Sequence, residues 1–81
     1  MSAGRPGRPY AGQESTALLA CLAFGDPYRL LAVRQIARHV ARVRLPNEST
    51  SRALADALDC STRTARRLLR LARPYARPGV L

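Results

Sequence analysis

The sequence of 81 residues is long enough for one small domain but not for two. It contains 14 arginines, no lysine and five acidic residues, which gives a formal net charge of +9, and no acidic residue follows Asp59. This balance predicts a polyanionic partner. GC-rich coding would explain arginine in place of lysine, but it would not explain the shortage of acidic residues.

Three classes of protein are not expected. The sequence has no carboxylate pair, no nucleophile placed to partner its single His39 and no glycine-rich phosphate loop, so it does not predict an enzyme. Cys21 and Cys60 lie in apolar surroundings without metal-ligand spacing, which favours reduced core thiols over a disulfide and predicts no metal or cofactor. No signal peptide and no apolar run of about 20 residues is visible, so we expect a cytoplasmic protein without membrane contact.

The N-terminal segment, residues 1–12, combines glycine, proline and arginine without apolar periodicity. Such a segment cannot bury enough apolar surface to order itself, so we expect a disordered basic arm. A folded helical domain is expected over residues 13–73.

The first predicted helix covers residues 13–24 and ends at Gly25. It is more apolar than the core of so small a domain requires. This excess predicts a symmetric homodimer whose interface is formed by Leu18, Leu22 and Phe24. The alternative is that the helix only covers the core of a monomer.

The second predicted helix covers residues 27–44, with Asp26 as the N-cap and Pro27 in the first helical position. Its apolar face is expected to comprise Leu30, Val33, Ile36, Ala37, Val40 and Val43. The opposite face carries Arg34, Arg38 and Arg42. These like charges repel each other at a spacing of four residues, so the stripe either meets an external anion or is simply solvated. His39 lies between the faces and is given no role.

Two shorter helices follow. Pro46 ends the second helix, and Asn47, Ser49 or Thr50 can cap a third helix over residues 50–58. Ser61 is the expected N-cap of a fourth helix over residues 62–72, which Pro74 ends, and residues 74–81 are expected to form an irregular tail. The predicted fold is therefore all-α, a small bundle of about four helices.

The stretch LADALDCSTRTARRLL, residues 54–69, predicts that the third and fourth helices cross through a short turn. Ala55 is small enough for a close approach of the two helices, and Asp59 tolerates a left-handed backbone in the turn. The apolar residues spaced to seal the corner are Leu58, Cys60, Ala65 and Leu68.

Residues 50–72 resemble the helix-turn-helix of bacterial transcriptional regulators, with Asp59 in place of the usual glycine. Upstream, RLPNESTSRALADAL at residues 44–58 resembles the entry to the DNA-binding domain of GntR-type winged-helix regulators, with about three extra residues. The sequence given has no room for the two-stranded wing of that family. The resemblance therefore extends to the helix-turn-helix alone.

The resemblance implies that the fourth helix lies in the DNA major groove with Thr62, Arg63, Arg66, Arg67 and Arg70 facing outward. Helical spacing independently places the four arginines on one face, opposite Ala65, Leu68 and Leu69. Arginine binds guanine edges, whereas hydroxyls such as those of Ser61 and Thr62 commonly hold phosphate oxygens. The simpler alternative is a basic face that only aids solubility.

These observations predict a sequence-specific double-stranded-DNA-binding protein, a small transcriptional regulator that acts as a repressor at its operator. Arg5 and Arg8, in a segment that shares only PGRP with an AT-hook, are candidates for the minor groove, although a plain disordered tail also explains them. One alternative function is a protein-interaction module, antitoxin-like or an adaptor, that reuses the fold. Structured RNA is a further alternative partner.

Overall fold

The structure is a computed structural model that describes residues 12–43 and 49–81. Within these residues the fold is all-α, as predicted. The four α-helices are α1 (Gln13–Phe24), α2 (Tyr28–Val43), α3 (Thr50–Leu58) and α4 (Thr62–Ala72), and a short 3₁₀ turn follows at Arg73–Tyr75. No helix in the described part of the chain is long and apolar enough to cross a membrane. The predicted arm up to residue 11, with Arg5 and Arg8, and the candidate cap Asn47 lie outside the described residues.

The ends of α1 and α2 follow from local sequence. Gly12 precedes α1 with a φ of 85°, and its carbonyl accepts hydrogen bonds from the Ser15 hydroxyl at 2.8 Å and from the Thr16 backbone N–H at 3.1 Å. Helix α2 begins at Tyr28, so Pro27 lies just before the helix and not in its first position. The Pro27 carbonyl accepts the N–H of Leu31 at 3.1 Å, which is the role of a residue that precedes a helix.

One hydrophobic core joins the four helices. Helix α1 packs against α2 and α4, and α3 packs against α2 and α4. The core consists of Leu18, Leu22, Ala32, Val33, Ile36, Val40, Leu54, Ala55, Leu58, Ala65, Leu68, Leu69 and Ala72. Ile36, Leu54 and Leu68 are its largest fully buried side chains. Since a domain of this size has only one such core, each of these contacts carries a large share of its stability.

The buried face of α2 differs from the predicted one at its first turn. Leu30 was expected to face the core, but 48% of its surface is exposed, and Ala32 is buried instead. Leu30 lies about 120° around the helix from Ile36, close to the angle of Ala37, which is itself only partly buried. That side of α2 is bordered by the C-terminal segment, which leaves an open groove there. The side chain of Val43, also expected in the core, is outside the described residues.

The turn between α3 and α4 has the backbone conformation predicted for it. Asp59 is left-handed, with φ 56° and ψ 48°. The N–H of Cys60 donates to the carbonyl of Ala55 at 3.0 Å, and the N–H of Asp59 donates to that of Asp56 at 3.3 Å. This pair of bonds is a Schellman motif, which satisfies the last carbonyls of α3 and turns the chain sharply. Ser61 then caps α4, as expected from the sequence.

The C-terminal segment packs against the core. It begins with the 3₁₀ turn, and Ala76 and Leu81 pack against the core. The Arg73 Nε donates to the backbone carbonyl of Leu81 at 3.4 Å, and the guanidinium of Arg29 lies 4.3 Å from the centre of the Tyr75 ring. The second of these contacts connects the segment to α2.

Candidate nucleic-acid interface

Helix α4 has one fully buried face and one strongly basic face. Ala65, Leu68 and Leu69 are buried, and the side chains of Arg63, Arg66, Arg67 and Arg70 are all exposed. The four arginines fall within about 100° of arc around the helix. The core contacts therefore fix how α4 is rotated and leave the arginine face toward solvent. We call these four residues the α4 arginine face.

The α4 arginine face carries four positive charges on one side of the helix. Two contacts of described carboxylates lie away from it: Asp26 is 3.9 Å from Arg29, and Glu14 is 2.9 Å from Nε2 of His39. Four guanidinium groups on one face produce a positive potential that attracts an external anion. Planar guanidinium groups are also well suited to phosphate and to guanine edges.

The α4 arginine face borders an open groove of about 560 Å³. Thr64 of α4 and Leu19 of α1 line this groove together with the four arginines. Sequence reasoning did not identify Leu19 or Thr64 as part of the site. Leu19 reaches the site only because α1 packs beside α4, and no local pattern in the sequence reports that packing.

The hydroxyls at the beginning of α4 have structural partners. The Ser61 hydroxyl accepts the backbone N–H of Thr64 at 3.1 Å and donates to the Thr64 hydroxyl at 3.0 Å. Ser61 is therefore the N-cap of the helix, and its single hydrogen is already in use. Thr64, which accepts the bond from Ser61, also lines the groove. Thr62, the other predicted phosphate contact, is partly exposed.

The homodimer surface predicted from the sequence is wrong in two of its three residues. Leu18 and Leu22 are only 6% and 8% exposed, because they pack into the core of the same chain. Phe24, by contrast, is 76% exposed and lies 5.8 Å, centre to centre, from the ring of Tyr28. Most of the large apolar side chains of α1 therefore pack in the core of the same chain. This agrees with the alternative that α1 covers the core of a monomer.

The titratable side chains of the described residues outside the α4 arginine face include His39, Cys21 and Cys60. The His39 Nε2 lies 2.9 Å from Oε2 of Glu14, which connects α2 to the beginning of α1. Cys21 and Cys60 are free thiols, and both are partly buried against the core. Burial raises the pKa of the Cys60 thiol. Within residues 12–43 and 49–81, no group of three or more His, Cys, Asp or Glu side chains is arranged to hold a metal ion.

The second basic surface is on α2, where Arg34, Arg38 and Arg42 are all exposed, as predicted.

Comparison with known proteins identifies no relative: no protein-family model, no curated protein and no solved structure matches this chain. Function is therefore inferred from the residues of the site itself.

Proposed function

We propose that the protein binds double-stranded DNA sequence-specifically through α4 and acts as a small transcriptional regulator, a repressor that occupies its operator. The observation that carries this proposal is the α4 arginine face, four exposed arginines on one side of a helix whose other side is held in the core. Arg63, Arg66 and Arg67, near the beginning of α4, are assigned to base edges. Arg70 and Thr62 are assigned to phosphates.

The turn before α4 supports the interpretation of α3 and α4 as a helix-turn-helix. The left-handed Asp59 and the buried Ala55 allow two short helices to be joined through three residues. In such a motif the second helix enters the major groove and the first crosses the backbone. A repressor of this kind would act in the cytoplasm, where it requires only access to its operator.

A homodimer is also part of the proposal, since two half-sites about one DNA turn apart are the usual target of a helix-turn-helix pair. Leu18 and Leu22 cannot supply most of its interface, because both are almost fully buried within one chain. Phe24 remains available for it.

A protein-interaction module is the second candidate, and a specific observation favours it. Between α2 and the C-terminal segment is a groove of about 350 Å³ with a mostly apolar lining that includes Leu30, Tyr75 and Val80, together with Arg34 and Arg77. Leu30, Tyr75 and Val80 are 36–49% exposed. A partner held mainly by this groove would lose little affinity with added salt, whereas phosphate contacts lose affinity steeply.

The decisive experiment is selection of bound fragments from random duplex DNA at two salt concentrations, with affinities then measured at the enriched site and on random DNA. Arg66→Ala or Arg67→Ala is expected to weaken the enriched site by about 1–3 kcal/mol and to relax base choice there. Arg77→Ala removes the same charge from an exposed residue outside α4 and is the matched control, with a much smaller expected loss.

Two outcomes would contradict the proposal. If no sequence is enriched at either salt concentration, the protein is not a sequence-specific DNA-binding protein. If Arg66→Ala and Arg67→Ala weaken enriched and random DNA equally, α4 contacts phosphates only, and base reading lies elsewhere.

A further inference from the structure

The outer face of α1 is an exposed surface without a cation. The exposed residues along it are Gln13, Thr16, Ala17, Ala20, Ala23 and Phe24. No arginine occurs between Arg8 and Arg29, so the basic residues of α2, α3 and α4 leave this helix uncharged apart from Glu14. In a chain with a net charge of +9, this is the described helix on which a second copy meets the least like-charge repulsion.

This surface carries a projection and a depression. Phe24 projects at the C-terminal end of α1, with 76% of its surface exposed. A groove of about 260 Å³ lies between α1 and α2. Its apolar lining comes from Ala17, Leu18, Cys21, Leu31 and Ala32, and its polar lining comes from Glu14 and Gln35. A cavity of about 150 Å³ is enough to accept a benzene ring, so the groove has room for a phenyl side chain.

We infer that two copies of the chain pair through the outer face of α1, with Phe24 of each copy in the α1–α2 groove of the other. Phe24 is seven residues, roughly 10 Å, from Ala17 along α1. Antiparallel pairing about a two-fold axis near Ala20 and Cys21 therefore brings each Phe24 over the other copy's Ala17. A surface that holds both the projection and its receptor is self-complementary, as an isologous interface requires.

The exposed area is sufficient for a weak dimer. Phe24 is 76% exposed, and Tyr28 and Leu31 are each 53% exposed at the same end of the α1–α2 pair. From the 150–250 Å² typical of aromatic side chains, Phe24 and Tyr28 expose roughly 250 Å² per copy. Leu31 and the exposed small residues of α1 raise the total over two copies toward the roughly 1,000 Å² that marks a specific interface. The expected affinity is micromolar.

The pairing leaves the proposed DNA interface free. Leu19, which borders the groove beside the α4 arginine face, lies about 140° around α1 from Phe24. Both arginine faces therefore stay exposed in the dimer. The interface itself does not depend on DNA, and only its use to read two half-sites rests on the proposed function.

Sedimentation equilibrium of the full chain without DNA tests the pairing. The unsubstituted protein should approach twice its monomer mass of 8.9 kDa as concentration rises through the micromolar range. Phe24→Asp should raise the dimer dissociation constant at least tenfold, because it replaces the ring with a carboxylate in a mostly apolar groove that Glu14 also lines. Leu30→Asp is the matched control, since Leu30 is also exposed and apolar but borders the other groove, and it should leave the constant unchanged.

An exchange of side-chain size across the two-fold axis tests the register. Phe24→Ala removes the projection and Ala17→Phe fills the receptor, so each change alone should weaken the dimer at least tenfold. In the double variant, the aromatic ring at position 17 of one copy meets the alanine at position 24 of the other copy. This variant should therefore recover most of the affinity. Both positions are exposed, and circular dichroism of each variant reports whether its fold is retained.

The outcomes separate this inference from DNA binding. Arg66→Ala with Arg67→Ala should abolish specific DNA binding and leave the dimer mass unchanged. A monomer at every concentration, or dissociation by Leu30→Asp and not by Phe24→Asp, would overturn the pairing whatever the DNA result. A double variant as weak as its weaker parent would overturn the antiparallel register.

Discussion

Ser61 and Thr64 are joined by two hydrogen bonds at the beginning of the helix that carries the α4 arginine face. The Ser61 hydroxyl accepts the Thr64 backbone N–H at 3.1 Å and donates to the Thr64 hydroxyl at 3.0 Å. The first contact satisfies one of the N–H groups that have no partner within the helix, and the second orients the Thr64 side chain toward the groove. One serine thus both begins α4 and arranges part of the site.

Ser61→Ala should reduce the free energy of unfolding by about 1 kcal/mol, because it removes the cap of α4. Ser49→Ala is the matched control, since Ser49 caps α3 through a single bond from the backbone N–H of Arg52 at 3.2 Å. Urea denaturation of both variants measures the difference. We expect the larger loss for Ser61→Ala, and a larger loss for Ser49→Ala would show that the second bond of Ser61 contributes nothing.

Two substitutions of Asp59 test whether its left-handed backbone conformation contributes to stability. Alanine pays the steric cost of this conformation and glycine does not, so Asp59→Ala should be less stable than Asp59→Gly by about 1 kcal/mol. Chemical denaturation of the two variants gives this difference directly. Equal stabilities would mean that the turn rearranges in the alanine variant and that the conformation is not required for the α3–α4 connection.

Two substitutions on α2, at Ile36 and Leu30, test which side of that helix faces the core. Ile36 is fully buried, so Ile36→Ala should cost about 2–5 kcal/mol, enough to unfold most of a domain this small. Leu30 is 48% exposed, and Leu30→Ala should cost well under half as much. Thermal unfolding followed by circular dichroism measures both. Comparable losses would restore Leu30 to the core, where the sequence pattern had placed it.

The helix boundaries were largely readable from the sequence because local residues determine them. Gly25 ends α1, Ser61 caps α4 and Pro74 closely follows its last turn, and the observed bounds of α1, α3 and α4 equal the predicted ones. The exposed arginines of α4 were also predictable, since the buried residues of a short amphipathic helix fix its rotation.

The contacts between helices and segments could not be predicted from the sequence. Leu30 has the spacing of a core residue, but the segment beside it does not cover it. Leu18 and Leu22 were assigned to a dimer because the sequence does not show how much of α1 the core of one chain requires. Leu19 joins the candidate site through the packing of α1 beside α4, which depends on the whole fold.

The partly buried thiol of Cys60 predicts a loss of stability in alkaline solution. Burial raises its pKa in the folded protein, so the folded state keeps the proton at a pH where the unfolded chain, with an ordinary thiol pKa of about 8.5, has lost it. The stabilisation is complete below that value and is lost as the pH rises through the raised pKa. Urea denaturation at about pH 7 and about pH 9.5 should therefore show a larger fall for the unsubstituted protein than for Cys60→Ala. Equal falls would mean that the thiol ionises as readily in the folded protein as in the unfolded chain.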